Sequence, residues 1–392
     1  MLKVHNGSIV SEEKKNVMLK GVNFGGWLMM EAYILHAPNT AEQLFKKNFA
    51  KHLGASALKQ FEEDFRRNFI KEKDVKDVAD LGFNCIRLPF NHRLIEKSPY
   101  KYDLPGVKYL DETIRWAKKY GVYILLDLHG AAGAQNHDWH SDSLGKAELW
   151  TSENYRKRTY ALWEFLADRY KEEETVCGYD VLNEAVMNDT KLLNSFYKNI
   201  IKSIRSVDRN HMLFIEVNRW AQDIECLDDF SDDNIVLSIH NYIPPEFTFN
   251  FVPFLKYPLK NFDKSDTKKL LDVHAKVACK YGRPVHVGEF GVNYRQGLYG
   301  EHLWVKDVVE CFEEFGFHWN YWTYKAIKNN AHPDGLFSYL DNPPWVNRGG
   351  PKMGWETFHL HWKEKRKEMV ESWDTKNFSP NEKVLKVLQD AV

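Results

Sequence analysis

Short apolar runs, each bounded by glycine, proline or polar residues, recur along the chain and are separated by stretches with helical periodicity. Eight of these runs predict strands: 18–24, 84–88, 123–128, 178–182, 212–217, 235–240, 285–288 and 319–322. Strands that alternate with helices are typical of a parallel sheet. Eight of them favour an α/β fold of the (β/α)8, or TIM, barrel type over a doubly wound sheet.

The stretches between the strands carry signals for helices and for their ends. In residues 74–82 the apolar side chains approximate one helical face, and the last residue is a glycine placed to end the helix. Residues 110–120 and 304–315 are also followed by glycine, and residues 160–170 have a similar pattern. We therefore predict helices in these four stretches.

Three long segments follow the first, sixth and eighth predicted strands: 28–68, 242–262 and 325–354. In a barrel these βα-loops would all lie on the C-terminal face, where the active site of such folds is found. We expect them to shape a substrate cleft. Because no Gly/Ser-rich linker or internal repeat divides the chain, we predict a single catalytic domain, 1–392, with a charged helical extension at about 360–392.

Charge and cysteine content narrow the classes of partner. The 54 Lys and Arg residues balance 55 Asp and Glu residues, which predicts no attraction to nucleic acid or to anionic membranes. Five cysteines without paired spacing fit neither a disulfide framework nor a CxxC metal site.

The first residues contain no apolar signal-peptide core, so a cytoplasmic protein is expected, although a chain whose signal peptide had been removed would have the same pattern. The oligomeric state stays open.

Eight residues with polar or aromatic side chains lie at or just after the ends of predicted strands. They are Arg87, His129, Asn183, Glu184, His240, Tyr242, Glu289 and Trp322. The C-terminal ends of the strands of a barrel surround one pocket, so these side chains are predicted to form a single site. Glu216, at the end of the fifth strand, is assigned a supporting role or none.

Two of these residues, Glu184 and Glu289, provide the pair of carboxyl groups that glycoside hydrolysis requires. One would act on the leaving oxygen and the other on the sugar. The pair therefore predicts a sugar-cleaving enzyme that needs no cofactor or metal, with an oligosaccharide or polysaccharide as its partner.

The motifs around these residues resemble glycoside hydrolase family 5, the cellulase family of retaining (β/α)8 glycosidases in clan A. The resemblance extends over about residues 21–324 and rests on Asn-Cys-Ile-Arg87-Leu-Pro, Leu-His129-Gly, Leu-Asn183-Glu184, His240-Asn-Tyr242, Gly-Glu289-Phe-Gly and Tyr-Trp322. Ala185 stands where many members of the family have proline after the Asn-Glu pair.

The resemblance implies that Glu289 is the nucleophile and that Glu184 is the general acid and base. An acid role predicts a raised pKa for Glu184, caused by the charge of Glu289, while Arg87 and Tyr242 would keep Glu289 ionised.

The other residues of the set are expected to bind the substrate or to orient the glutamates. Asn183 is suited to bind a sugar 2-hydroxyl, and Trp322 offers a flat surface for the sugar ring. His129 and His240 are expected to bind hydroxyls or to fix the position of the glutamates.

The sequence constrains the identity of the substrate less than it constrains the type of reaction. Residues 21–31, which include Glu31, and residues 126–136, which include Asn136, are similar to the branch of the family that contains exo-acting β-1,3-glucanases. In that branch the matching glutamate binds hydroxyls at the non-reducing end. The segment His137-Asp-Trp139-His departs from the glucanase pattern, so β-1,3 and β-1,4 linkages, gluco and manno configurations, and endo and exo attack all stay open.

Two other functions fit parts of the pattern. A metal-dependent barrel hydrolase could use His129, His240 and Glu289 as ligands, although the first strand lacks the His pair that such sites commonly use. A barrel that binds glycans without catalysis would use the same aromatic and acidic side chains only for recognition.

Overall fold

The computed structural model of the protein describes residues 1–36, 39–339 and 357–392. Eight parallel strands close into a barrel, and they follow one another around it in chain order. They are β1 (Lys20–Asn23), β2 (Cys85–Asn91), β3 (Tyr123–Gly130), β4 (Val176–Asp180), β5 (Met212–Glu216), β6 (Ile235–Asn241), β7 (Val285–Phe290) and β8 (His318–Tyr321). All eight overlap the predicted runs, which confirms the (β/α)8 barrel.

The second strand is longer than predicted because it continues through Pro89. Pro89 pairs with Asp127 of β3, and Asn91 pairs with Gly130. Proline lacks an amide hydrogen, but its fixed φ is compatible with an extended strand. The added residues carry β2 to the C-terminal rim of the barrel.

Ten helices of eight or more residues lie in the described part of the chain. They are α1 (Glu42–Leu53), α2 (Ala55–Asn68), α3 (Glu72–Asp80), α4 (Leu104–Tyr120), α5 (Glu153–Tyr170), α6 (Thr190–Arg205), α7 (Lys264–Tyr281), α8 (Glu301–Phe315), α9 (Phe358–Ser372) and α10 (Glu382–Gln389). Helices α3, α4, α5 and α8 correspond to the four predicted helical stretches. As predicted, α4 and α8 end at glycines, Gly121 and Gly316, whose φ angles of 70° and 68° are left-handed.

An N-terminal hairpin and the lower barrel interior form one apolar cluster. Strand Lys3–His5 pairs with Ser8–Val10, and the hairpin residues Leu2 and Ile9 are buried against Leu125 and Phe214 of the barrel. This packing closes the N-terminal end of the barrel, so the opening of the barrel lies at the C-terminal end.

The barrel interior becomes polar above this cluster. The buried side chain of His286 lies between Ser238 Oγ at 3.2 Å and Asn320 Oδ1 at 2.8 Å. Arg87, which is fully buried, lies among the carboxylates at the centre of the barrel. Because buried polar groups need partners, this polar interior fixes the side chains that carry the site.

The first long segment, predicted as a loop, contains helices α1 and α2, and these pack on the C-terminal tail. Phe61 of α2 is fully buried and its ring lies 5.2 Å from Trp362 of α9 and 5.8 Å from Trp373. The aromatic residues of the segment therefore belong to a second packed layer beside the barrel, and the same contacts hold the tail in place.

The tail also joins a small sheet at the C-terminal face. Strand Ser379–Pro380 pairs with Phe337–Tyr339, which pairs with Lys325–Ile327 after β8. The remainder of the third predicted segment, 340–354, lies outside the described residues. None of the helices that the structure describes has the length and apolar character needed to span a membrane.

Candidate active site

The two predicted carboxyl groups meet at the C-terminal end of the barrel. Glu289 lies in β7, and Glu184 follows β4 by four residues. Three atoms lie within 4.8 Å of one another: one carboxylate oxygen of each glutamate and a ring nitrogen of His240. Retaining glycosidases place their carboxyl groups about 5 to 5.5 Å apart, whereas inverting ones leave about 6.5 to 9.5 Å for a water molecule. The closest approach of the two carboxyl groups is therefore compatible with a retaining site.

The guanidinium of Arg87 connects the buried acidic residues of this site. Its guanidinium lies within 3.1 Å of four carboxylates: Asp127, Asp180, Glu216 and Glu289. Nη2 also donates a hydrogen bond to Asn183 Oδ1 at 2.8 Å. A planar fork of donors is suited to join several carboxylates at fixed positions, so Arg87 connects the ends of β3, β4, β5 and β7.

Both oxygens of Glu289 are held by neighbouring groups. Arg87 Nη1 contacts Oε1 at 2.8 Å, and the Tyr242 hydroxyl donates to Oε2 at 2.8 Å. Burial raises the pKa of Glu289, and the nearby positive charges of His240 and Arg87 reduce that rise without reversing it. The carboxylate is therefore fixed in orientation and ionises above its ordinary range.

Glu184 is bound by two imidazoles. His240 Nδ1 lies 2.9 Å from Oε1, and His140 Nε2 lies 2.8 Å from Oε2. Burial disfavours its charge, but the hydrogen bonds from His140 and His240 outweigh burial and lower the pKa of Glu184. The sequence predicted a raised pKa for Glu184 from the charge of Glu289, and this prediction is wrong.

The backbone at Glu184 is also constrained. Its φ of 45° is left-handed, which is costly for a residue with a Cβ atom, by about 1 to 3 kcal/mol. The amide of Glu184 donates to Glu216 Oε2 at 2.6 Å, and Asn136 Nδ2 donates to its carbonyl at 3.0 Å. Glu216 thus has the supporting role that the sequence left undecided.

His129 and Trp322 form one wall of the pocket. Their rings are stacked, with centroids 5.3 Å apart and an angle of 7° between the planes. His129 Nδ1 lies 2.8 Å from Asp127 and Nε2 lies 3.2 Å from Glu31. Both nitrogens are thus engaged, and Glu31 reaches the pocket beside the flat surface of Trp322.

Three rings from three different loops pack together in the lining of the pocket. Tyr33 lies 5.7 Å from Trp139 and 5.0 Å from His332, and Trp139 lies 6.1 Å from His332, measured between ring centroids. These residues follow β1, β3 and β8, and we refer to them as the ring triangle. The hydroxyl of Tyr33 also accepts a hydrogen bond from Trp322 Nε1.

Residues that follow β5 and β6 also line the pocket. They are Trp220, Gln222, Glu246 and Phe249. Trp220 is 40% exposed, has a left-handed φ of 54°, and donates from Nε1 to Asp138 Oδ2 at 2.8 Å. The Phe249 ring lies 5.5 Å from the ring of His332, so this part of the lining contacts the ring triangle. The pocket as a whole has a volume of about 620 Å³.

The predicted residues separate into two groups in the structure. Those that line the pocket are Glu31, His129, Trp139, Glu184, Tyr242, Glu289 and Trp322. Arg87, Asn136, Asn183 and His240 are not among the lining residues, and they contact the glutamates or Arg87 instead. Asn183 Nδ2 is buried and has no hydrogen-bond partner among the described residues.

The sequence did not identify Tyr33, His140, Trp220 or His332 as site residues. None of them directly follows a strand, and all four come from loops whose course brings them to the pocket. The departure from the glucanase pattern at residues 137–140 was the one signal that pointed to this part of the chain.

The predicted metal ligands do not form one cluster. Among the described residues, the groups of potential ligands are Glu184 with His240 and Glu289, and Asp127 with Asp180 and Glu216. The second group surrounds the guanidinium of Arg87. His129, required by the metal hypothesis, belongs to neither group because it binds Asp127 and Glu31.

Comparisons with known proteins match most of the chain. The family model for cellulase, glycosyl hydrolase family 5, matches residues 46–328. A β-xylosidase of Phanerodontia chrysosporium is 32% identical over 343 residues, which cover 83% of this chain and 71% of the relative. Endoglucanase C of Acetivibrio thermocellus is 28% identical over 350 residues, covering 78% and 91%.

A solved structure supports the fold independently. The crystal structure of Thermotoga maritima Cel5A in complex with mannotriose aligns with 95% of this chain and 97% of that chain, with a TM-score of 0.66. At 22% identity this similarity shows the barrel fold alone.

Proposed function

Because the chain belongs to glycosyl hydrolase family 5 and is a retaining β-glycosidase, we propose that it removes single sugars from the non-reducing ends of β-linked oligosaccharides. Gluco-configured substrates are the leading choice. The ring triangle is the observation that carries the proposal, since its packed rings lie beside Trp322 and would limit the space for sugars there.

The roles of the two glutamates set the direction of the substrate. Glu289 would attack the anomeric carbon, and Glu184 would protonate the leaving oxygen. The leaving group would then lie on the side of Glu184, while the retained sugar would lie over Trp322. The ring triangle, which contacts Trp322 through the Tyr33 hydroxyl, would limit the space for a second sugar there.

The reaction would proceed in two displacements. In the first, the Glu289 carboxylate forms an ester with the sugar while the proton from Glu184 moves to the departing oxygen. In the second, Glu184 removes a proton from water, which attacks the ester and restores the β configuration. Arg87 and Tyr242 hold Glu289 in position for both steps.

The mode of attack can be tested with a tetrasaccharide labelled at its reducing end. Exo attack from the non-reducing end predicts an unlabelled monosaccharide and a labelled trisaccharide as the first products, whereas early release of an unlabelled disaccharide would contradict the proposal. Trp139→Ala, which opens the ring triangle, is expected to allow some disaccharide release. Trp220→Ala, a matched change of a lining tryptophan outside the ring triangle, is expected to keep monosaccharide release.

The sugar can be identified on a panel of β-1,3- and β-1,4-linked gluco-, manno- and xylo-oligosaccharides. The relatives are named as a β-xylosidase and an endoglucanase, and the structural neighbour was solved with mannotriose. A gluco preference predicts higher kcat/KM for glucosides than for xylosides, because the pocket would then bind the 6-hydroxymethyl group that xylose lacks.

The acidic limb of the pH profile of kcat/KM is expected to reflect the ionisation of Glu289. The nucleophile must be ionised, and its pKa is raised above the ordinary value of 4.5, so activity is lost as the pH falls through a value higher than 4.5. A plot of kcat/KM against pH measures this limb. Tyr242→Phe removes a hydrogen bond to the carboxylate and should move the limb to still higher pH, while a limb at or below 4.5 in the unmodified enzyme would contradict the assignment.

A further inference from the structure

We propose that His140 stores the proton that Glu184 delivers to the leaving group. Before the substrate binds, the proton lies on the His140 imidazole, and it passes to the carboxylate when the substrate enters. His140 is thus a positioning residue that acts through Glu184, and the inference rests on the acid and base role proposed for Glu184 above.

The geometry of Glu184 leaves no carboxylate oxygen without a cationic partner. His240 Nδ1 lies 2.9 Å from Oε1, and His140 Nε2 lies 2.8 Å from Oε2. A carboxylate held by two imidazolium groups is stabilised in its ionised form. The proton needed for the first step must therefore come through one of the two imidazoles.

His240 is poorly suited to give up its proton. It lies between three carboxylates, with Glu184 at 2.9 Å, Glu216 at 3.3 Å and Glu289 at 3.6 Å, and its side chain is fully buried. Loss of its charge would remove a positive charge that three buried carboxylates share. Arg87 contacts only Glu216 and Glu289 among them, so the loss is costly. His240 is therefore a fixed counter-charge of the site.

His140 has the opposite properties. It follows β3 in the loop that carries Trp139, lines the pocket, and its side chain is 17% exposed. Its ion-pair partner is Glu184. A sugar that enters the pocket can reach this contact, which makes His140 the exchangeable partner.

The charges around His140 favour its protonated form. It faces the carboxylates of Glu184, Glu31 after β1, and Asp138 of its own loop. Burial lowers its pKa, but these carboxylates outweigh burial and raise the pKa above 6.5. His332, which faces it from the loop after β8, has a pKa lowered by burial to about 4 and is neutral at neutral pH.

The proton transfers balance over the two half-reactions. In the first, the Nε2–H bond of His140 breaks, the proton moves to Glu184 and then to the leaving oxygen, and His140 becomes neutral. In the second, the proton taken from water by Glu184 returns to His140. The pair therefore starts and ends with one shared proton.

His140→Gln tests the inference, because glutamine can keep a hydrogen bond but cannot store the proton. For alkyl or sugar leaving groups, which need protonation, we expect kcat/KM to fall at least about 10-fold. For 2,4-dinitrophenyl glycosides, which depart without protonation, we expect a change of less than about 3-fold. Equal losses on both kinds of substrate would overturn the proposal.

The basic limb of the pH profile gives a second readout. In the unmodified enzyme the active form loses its proton as the pH rises through the raised pKa of His140, so the limb lies above 6.5. In His140→Gln only the carboxyl of Glu184 holds the proton, and the limb should move to lower pH. An unmoved limb would mean that His140 has only a structural role. His137→Gln, an exposed position in the same loop outside the pocket lining, is the matched control and should behave as the unmodified enzyme.

Histidine NMR titration tests the pair even if the variant folds poorly. The pKa of His140 is expected above 6.5 in the unmodified enzyme and lower in Glu184→Gln, which removes the facing carboxylate. A pKa that is the same in both proteins would overturn the proposal. Failure of the acid and base role proposed for Glu184 is distinct, because Glu184→Gln would then lose equal activity on both leaving-group classes.

Discussion

Replacing Glu289 by alanine is expected to lower kcat by on the order of 10⁴-fold or more, since removal of a covalent nucleophile leaves only binding and electrostatic contributions. The structure supports this expectation through geometry. The carboxylate is held at both oxygens by Arg87 and Tyr242, and its closest approach to Glu184 is compatible with double displacement. Steady-state kinetics with an aryl β-glycoside measures the effect.

Azide separates the roles of the two glutamates. In Glu289→Ala, azide would occupy the place of the nucleophile and attack from its face, giving an α-glycosyl azide. In Glu184→Ala, azide would replace water in the second displacement and give a β-glycosyl azide. The anomeric configuration of the product, read by NMR, therefore assigns each residue.

Two results would contradict the assignment of Glu289. Undiminished turnover in Glu289→Ala would show that the carboxylate is not the nucleophile, and a β-glycosyl azide from that variant would exchange the two roles. Circular dichroism and thermal unfolding of the variant establish that the loss is chemical. Removal of one carboxylate from a cluster centred on Arg87 is expected to leave the fold intact, since Asp127, Asp180 and Glu216 still pair with the guanidinium.

Arg87→Lys is expected to affect both stability and activity, although it keeps the positive charge. Lysine has three donors at one point and cannot reproduce the planar fork that contacts four carboxylates and Asn183. Each buried group left without a partner costs about 1 to 3 kcal/mol. We expect the free energy of unfolding to fall by about 3 kcal/mol or more, measured by denaturant titration.

The activity of Arg87→Lys should fall by about 10²-fold, because a displacement of about 1 Å at a reacting group is enough for such a loss. The acidic limb should also move to higher pH, since Glu289 loses a partner that favours its ionised form. Arg93→Lys is the matched control. Arg93 contacts Asp142 at 2.9 Å but is 46% exposed, so its change should have a small effect on both stability and activity. Equal effects of the two substitutions would contradict the central role of Arg87.

The barrel was predictable from the sequence because its strands are short, buried on both faces and separated by helices with clear ends. The run at 212–217 is apolar except at Glu216 and corresponds closely to β5, and glycines mark the ends of α4 and α8. The limits of β2 were less predictable, since Pro89 suggests an end where the register of the barrel continues the strand. The two helices within 28–68 were missed because their apolar residues pack on a tail more than 300 residues away.

The candidate site was predictable only where a side chain directly follows a strand. Glu184 and Glu289 were found in this way, as were their partners Arg87, His240 and Tyr242. Tyr33 and His332 were not, because only the folded loops bring them together. The ionisation of Glu184 was predicted in the wrong direction, because the charge of Glu289 was considered without the imidazole of His140. The cytoplasmic location, the domain limits and the roles of the individual site residues stay predictions.

The separation between the ring triangle and the Arg87 cluster has a consequence for how such an enzyme can diversify. The three rings sit on loops after β1, β3 and β8, and their contacts with one another are independent of the buried carboxylates. Exchange of a single ring could change the length of chain that the pocket accepts while the chemistry below is preserved. Exchange of Arg87 would disturb four strands at once. Substrate range is therefore the readily evolved property of this architecture, and reaction type is the conserved one.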